Sequence, residues 1–108
     1  MNDTITPEEL RKSLADKEEM TIIDVRRKTD FDADTQMVSG AVRRDPEQVE
    51  QWSNDLREGQ NVVVYCMYGG SVSRSISEKL RAGNINVSFI EGGITAWKES
   101  GGEVQEKG

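Results

Sequence analysis

Val62-Val63-Val64-Tyr65-Cys66-Met67-Tyr68-Gly69-Gly70-Ser71 is the stretch on which the fold turns. Its first four residues are β-branched or aromatic without a polar break. That reads as a strand buried on both faces, as in a parallel sheet. The strand stops at a cysteine. A loop with two glycines follows, and Ser71 or Ser73 then offers a cap for a helix running to about Ala82. Val72, Ile76 and Leu80 fall on one inward face of that helix, and Gly83 suits a left-handed residue at its end.

The pattern continues in both directions from this point. Downstream, Val87 to Ile90 reads as another buried strand, and Gly92-Gly93 turns the chain into a last helix carrying Ile94 and Trp97. Gly101-Gly102 ends that helix, and the tail after about residue 103 is expected to fray. Upstream, Asp45-Pro46-Glu47-Gln48 reads as a helix start followed by a stripe of Val49, Trp52 and Leu56, with Gly59 as its end. Gly40-Ala41-Val42 reads as a short strand, and residues 26–39 as a long loop with a helical turn near Phe31. Met20 to Val25 reads as a strand. Thr6-Pro7-Glu8-Glu9 has the form of a capping box, opening a helix to about Asp16 with Leu10 and Leu14 on one face. Strands alternating with helices predict an α/β domain, a parallel sheet covered on both faces. At 108 residues the chain suits a single domain.

Composition removes whole classes of chemistry. There is no histidine and only one cysteine. Ser-His-Asp and Cys-His mechanisms, intramolecular disulfides and the usual metal sites are therefore not expected. The net charge of -6 opposes nucleic-acid binding. No run is long enough to span a bilayer, and residues 1–10 lack the pattern of a signal peptide. A free thiol fits a reducing compartment, so a cytoplasmic location is expected. A monomer without cofactor or metal is also expected.

The chemistry is expected at Cys66. Ligands of open α/β sheets bind at the carboxyl ends of strands, and Cys66 follows the most apolar one. Successive amide N–H groups in the loop of Met67, Tyr68, Gly69 and Gly70, with Ser71 and Val72 opening the helix, are expected to point inward as an anion-binding nest. Such a setting favours the thiolate without a histidine base and cradles an anion on the sulfur. A lone cysteine at a strand end is otherwise a small buried apolar residue. The loop type is shared by cysteine phosphatases or arsenate reductases of the C-x5-R form, where an arginine clamps an oxyanion. Here that position is Val72, which argues against phosphoryl chemistry.

Four stretches together resemble the rhodanese family. They are Ile22-Ile23-Asp24-Val25-Arg26, Ser39-Gly40-Ala41-Val42, Val63-Val64-Tyr65-Cys66 through Ser71, and Glu91-Gly92-Gly93-Ile94-Thr95-Ala96-Trp97. The resemblance implies a three-layer α/β domain with a central parallel sheet of about five strands and helices on both faces. It implies sulfane-sulfur transfer through a Cys66 persulfide. The donor would be a small sulfur-containing anion such as thiosulfate, and the acceptor a thiol or a protein. A sulfur-carrier module with low turnover is the alternative. Arg43, Arg44 and Arg74 are candidate guides for an anionic donor, while Asp24 and Arg26 are expected to brace the loop through a buried pair. Where many relatives carry His and Pro before Gly-Ala, this chain has Met37-Val38-Ser39.

Overall fold

The computed structural model describes residues 4–107. In chain order its elements are β1 (Thr4–Ile5), α1 (Pro7–Ala15), β2 (Thr21–Asp24), α2 (Lys28–Ala33), β3 (Gln36–Val38), β4 (Val42–Arg43), α3 (Val49–Trp52), β5 (Asn61–Tyr65), α4 (Ser71–Ala82), β6 (Asn86–Ile90), α5 (Gly93–Glu99) and β7 (Val104–Glu106). Five strands form a parallel sheet in the order β1-β6-β5-β2-β4, and β3 pairs antiparallel with β7. Alternation along β5 builds both sides of the core. Val62 and Val64 join Ile76 and Leu80 of α4 and Val49 and Trp52 of α3 on one face. Val63 and Tyr65 join Leu10 of α1, Ile94 and Trp97 of α5, and Met37 and Val38 of β3 on the other.

The expected start of α1 is present in full. Thr6 Oγ1 accepts from the Glu9 amide at 3.1 Å, and Glu9 Oε1 accepts from the Thr6 amide at 2.9 Å. Its inward face is shorter than the spacing predicts: Leu10 is buried, but Leu14, one turn later, is 36% exposed. Apolar spacing defines a face, not the length over which neighbours cover it. The segment after Asp45 is broken rather than one helix. Pro46–Gln48 and Ser53–Asp55 are 3-10 turns flanking α3, and the segment ends at Asp55, before Gly59.

Four further differences have local or long-range causes. The left-handed residue after α4 is Asn84 (φ 65°), one position beyond Gly83. Asn84 N–H donates to Arg81 O at 3.0 Å and Ile85 N–H to Leu80 O at 3.2 Å, the Schellman pattern, with Ile85 and Leu80 in the same core. The helix starts on Gly70, with no side-chain cap; Ser71 is its first residue, and Ser73 turns inward, fully buried. β1 and β3 escape a pattern search because two or three residues carry no period. The tail expected to fray instead forms β7, while Gly108 lies outside the described residues. Glu103 O accepts from Trp97 Nε1 at 2.7 Å and from Ser39 N–H at 3.1 Å, which holds the tail beside β3.

Candidate active site

The crossovers around the centre of the sheet open a crevice. After β5 the chain enters α4, which packs on one face; after β2 it runs through α2 to β3, which packs on the other. Neighbouring strands that send their connections to opposite faces leave a gap at their carboxyl ends. Cys66 lies at the end of β5 and is 7% exposed, a recessed thiol. Asp24, Val25 and Arg26 stand beside it at the end of β2, with Asp24 paired in register with Tyr65.

The loop after Cys66 is held from behind by α5. Ile94 N–H donates to Cys66 O at 3.0 Å and Thr95 N–H to Met67 O at 3.2 Å. Gly93 (φ 63°) permits this grip, since a Cβ there would lie 2.4 Å from Cys66 O and 2.5 Å from Met67 O. Gly69 (φ 72°) returns the contact: a Cβ on it would lie 2.8 Å from Gly92 N. Among the described residues all peptide bonds are trans, so each N–H points opposite its carbonyl. With the two carbonyls turned to α5, the N–H groups of Met67 and Tyr68 face away from it. Among the described residues no acceptor meets the N–H groups of Met67, Tyr68, Gly69 or Gly70. The first turn of α4 adds the unpaired donors of a helix N-terminus, which Gly70 leaves uncapped. An uninterrupted run of amide donors thus follows the thiol.

Beneath the loop lies a buried polar network. The fully buried Arg26 guanidinium and Asp24 carboxylate meet at 2.8 Å. Tyr65 Oη donates to Asp24 Oδ2 at 2.9 Å and accepts from Val38 N–H at 3.0 Å. Arg26 also donates to Asp34 Oδ2 at 3.0 Å and Gln36 O at 3.0 Å. Burial and the Asp24 charge raise the Tyr65 phenol far above its ordinary value, so it remains a proton donor. Burial disfavours the charge on Arg26, but the Asp24 carboxylate outweighs it and holds the guanidinium charged. The Asp24–Arg26 pair is therefore present and buried, and Asp24 is hydrogen-bonded to Tyr65, the residue before the cysteine. Tyr65 and Asp34 were missed as partners of the pair because neither spacing nor motif links them to it.

Asp34 makes a pH prediction. Burial pushes its carboxyl up, but Lys98 at 2.7 Å, the Gln36 amide and Arg26 overcome this and lower it. A lowered carboxyl contributes stability that is complete above the ordinary unfolded value of about 3.9 and is lost as pH falls through the folded one. Asp34→Asn is expected to be less stable than the parent at pH 7 by about 1–3 kcal/mol. Urea titrations across the acid range check this, and the gap between the two proteins should close as pH falls below about 4.

Of the three candidate arginines, Arg43 and Arg44 reach the end of β2, where Arg43 Nη1 donates to Asp24 O at 3.4 Å and Arg44 N–H donates to the same oxygen at 3.0 Å. Arg43 donates to Arg44 O and stacks 4.6 Å from the Phe31 ring centre. Arg44 approaches Asp55 at 3.8 Å with both side chains exposed. Arg74 sits 5.9 Å from the Phe89 ring centre. A cavity of about 410 Å³ beside the first turns of α4 is lined by Ser71 and Val72 together with the cations Arg27, Lys28 and Lys79 and the acids Asp45 and Glu47. Those cations come from separate segments, so no sequence signal groups them. Tyr68 is 70% exposed at the loop's outer edge. No helix of the described residues is long and apolar enough to cross a membrane.

Residues 6–100 match the family model of the Rhodanese-like domain. A chloroplastic thiosulfate sulfurtransferase 16 of Arabidopsis thaliana is 30% identical over 63 residues, 58% of this chain and 52% of that protein. The chain thus spans about half the length of that relative. A sulfurtransferase of Allochromatium vinosum is 26% identical over 101 residues, covering 94% of this chain and 92% of the relative. Among solved structures, the Rhodanese-like domain of an Anabaena protein superposes with a TM-score of 0.78 at 28% identity, covering 99% of this chain and 81% of that one.

Proposed function

Because this chain belongs to the Rhodanese-like domain family, we propose that it is a sulfurtransferase whose nucleophile is Cys66. The observation that carries the reading is the run of unpaired amide donors after a recessed thiol. Those donors suit a transferred group that arrives and departs as an anion.

The chemistry runs in two half-reactions. The Cys66 thiolate attacks the outer sulfur of thiosulfate. An S–S bond forms on Cys66, the S–S bond of thiosulfate breaks, and sulfite leaves with the electron pair. The persulfide keeps one negative charge on its terminal sulfur, where the N–H groups of residues 67–70 and the α4 terminus stabilise it. A nucleophilic acceptor, cyanide or a thiolate, then attacks that sulfur and releases the Cys66 thiolate. No proton relay is required, which agrees with a chain that has no histidine.

Phosphoryl transfer is the less suitable use of the same loop, since Val72 is where an oxyanion-clamping arginine would stand and it contributes only apolar surface. Intact-mass spectrometry after thiosulfate treatment tests the proposal. The expected result is a gain of about 32 Da, one sulfur on one thiol, mapped to Cys66 and removed by cyanide. Absence of the adduct, or its mapping elsewhere, would overturn the reading. So would robust turnover of an aryl phosphate by the same preparation.

A further inference from the structure

We propose that the Tyr65 hydroxyl is a positioning group for sulfur transfer, setting where the Cys66 thiol stands beneath its loop; the inference rests on the sulfurtransferase reading above. Tyr65 ends β5, immediately before the thiol, and is fully buried. A phenylalanine would fill the same space. The hydroxyl adds two directed contacts: it donates to Asp24 Oδ2 at 2.9 Å and accepts from Val38 N–H at 3.0 Å. Asp24 ends β2 and Val38 ends β3, so one oxygen ties together the carboxyl ends of three strands.

The Tyr65–Cys66 segment is thereby held from three sides. From β2, Val25 N–H donates to Tyr65 O at 2.9 Å. From α5, Ile94 N–H donates to Cys66 O at 3.0 Å. The third hold comes from β3 and arrives through the hydroxyl. β3 pairs with β7 in a separate sheet, and among the described residues no backbone hydrogen bond joins it to β5. The Tyr65 ring shares a core cluster with Met37 and Val38, but apolar burial is non-directional and lets a ring slide. A hydrogen bond fixes both distance and angle.

Stability alone is a weak reason for this oxygen. Burying a hydroxyl carries a desolvation cost that its hydrogen bonds offset only modestly. Rate is far more sensitive to position, since a misplacement of about 1 Å can slow a reaction about 100-fold. In the proposed reaction the donor anion sits on the loop amides and the α4 terminus. Those amides are turned by α5 through backbone bonds that do not involve the hydroxyl. Loss of the hydroxyl therefore moves the nucleophile more than the cradle of its substrate.

Tyr65→Phe is compared with the parent in single-turnover formation of the Cys66 persulfide. The saturating rate constant is expected to fall about tenfold, while the half-saturating thiosulfate concentration changes less than about twofold. A hydroxyl that merely stabilises the fold would lower the urea midpoint and leave the rate constant of the folded variant unchanged. That result would overturn the proposal, and so would a rise in half-saturation at an unchanged rate constant. Should the variant unfold in plain buffer, the same comparison in concentrated sucrose, which favours the folded state, decides. A parent protein that forms no persulfide would instead remove the underlying function. Alkylation of Cys66 by iodoacetamide then decides: a changed rate in folded Tyr65→Phe supports the positioning role, and an unchanged rate refutes it.

Discussion

Cys66→Ser is expected to lower thiosulfate:cyanide sulfur transfer to the uncatalysed rate while leaving the fold in place. A serine oxygen cannot hold the transferred atom in an S–S bond, and its proton is not lost at neutral pH without a base. None is at hand, because the chain contains no histidine and the nearest carboxylate network, at Asp24, is committed to Arg26 and Tyr65. The loop itself should survive. Its carbonyls are held by Ile94 and Thr95, and its turn by Gly69, none of which depends on the sulfur. Placing a hydroxyl where the cysteine is 7% exposed costs about 1–3 kcal/mol at most if it finds no partner. Circular dichroism and a urea titration separate the two effects. A folded Cys66→Ser protein with residual turnover above background would show that another group carries the sulfur.

Asp24→Ala is expected to destabilise the protein by about 3–5 kcal/mol. The mutation strands a guanidinium that is fully buried and takes the Tyr65 hydroxyl from its acceptor. Asp34 stays in contact with Arg26 but has its own partner in Lys98, so it replaces the lost carboxylate only in part. Against a usual total of about 5–15 kcal/mol, the loss leaves a marginal domain. The damage should reach the site, because Tyr65 immediately precedes Cys66. The double variant Asp24→Leu/Arg26→Met removes both charges and should recover much of the loss, as apolar replacements of buried ion pairs do elsewhere. Urea midpoints with unchanged slope are the measurement. A loss below about 1 kcal/mol for Asp24→Ala would mean that the pair is solvated in solution.

The elements legible in the sequence are those whose cause lies within a few residues. The capping box at Thr6, the unbroken β5 run and the 3.6-residue stripe of α4 each depend on contiguous chemistry, and each is present. The fifth strand of the sheet, β1, was implied by family resemblance and not by its own two residues. The C-terminal tail misled for the same reason: Val104–Glu106 has no signal of its own and becomes a strand only because β3 lies beside it.

The candidate site divides the same way. From the sequence alone came the strand, the single thiol, the glycine loop and the following helix, together with the exclusion of every mechanism that needs histidine. These follow from residue type and order, which are complete in the sequence. Only the tertiary structure decided how the loop faces, since its carbonyls are turned by amides of α5 distant in the sequence, those of Ile94 and Thr95. It brought Tyr65, Asp34 and Gln36 into hydrogen bonds with the Asp24–Arg26 pair. It also brought Arg27, Lys28 and Lys79 together around the cavity beside the first turns of α4. Such contacts depend on how distant segments pack, and that distance is what a pattern of neighbouring residues does not encode.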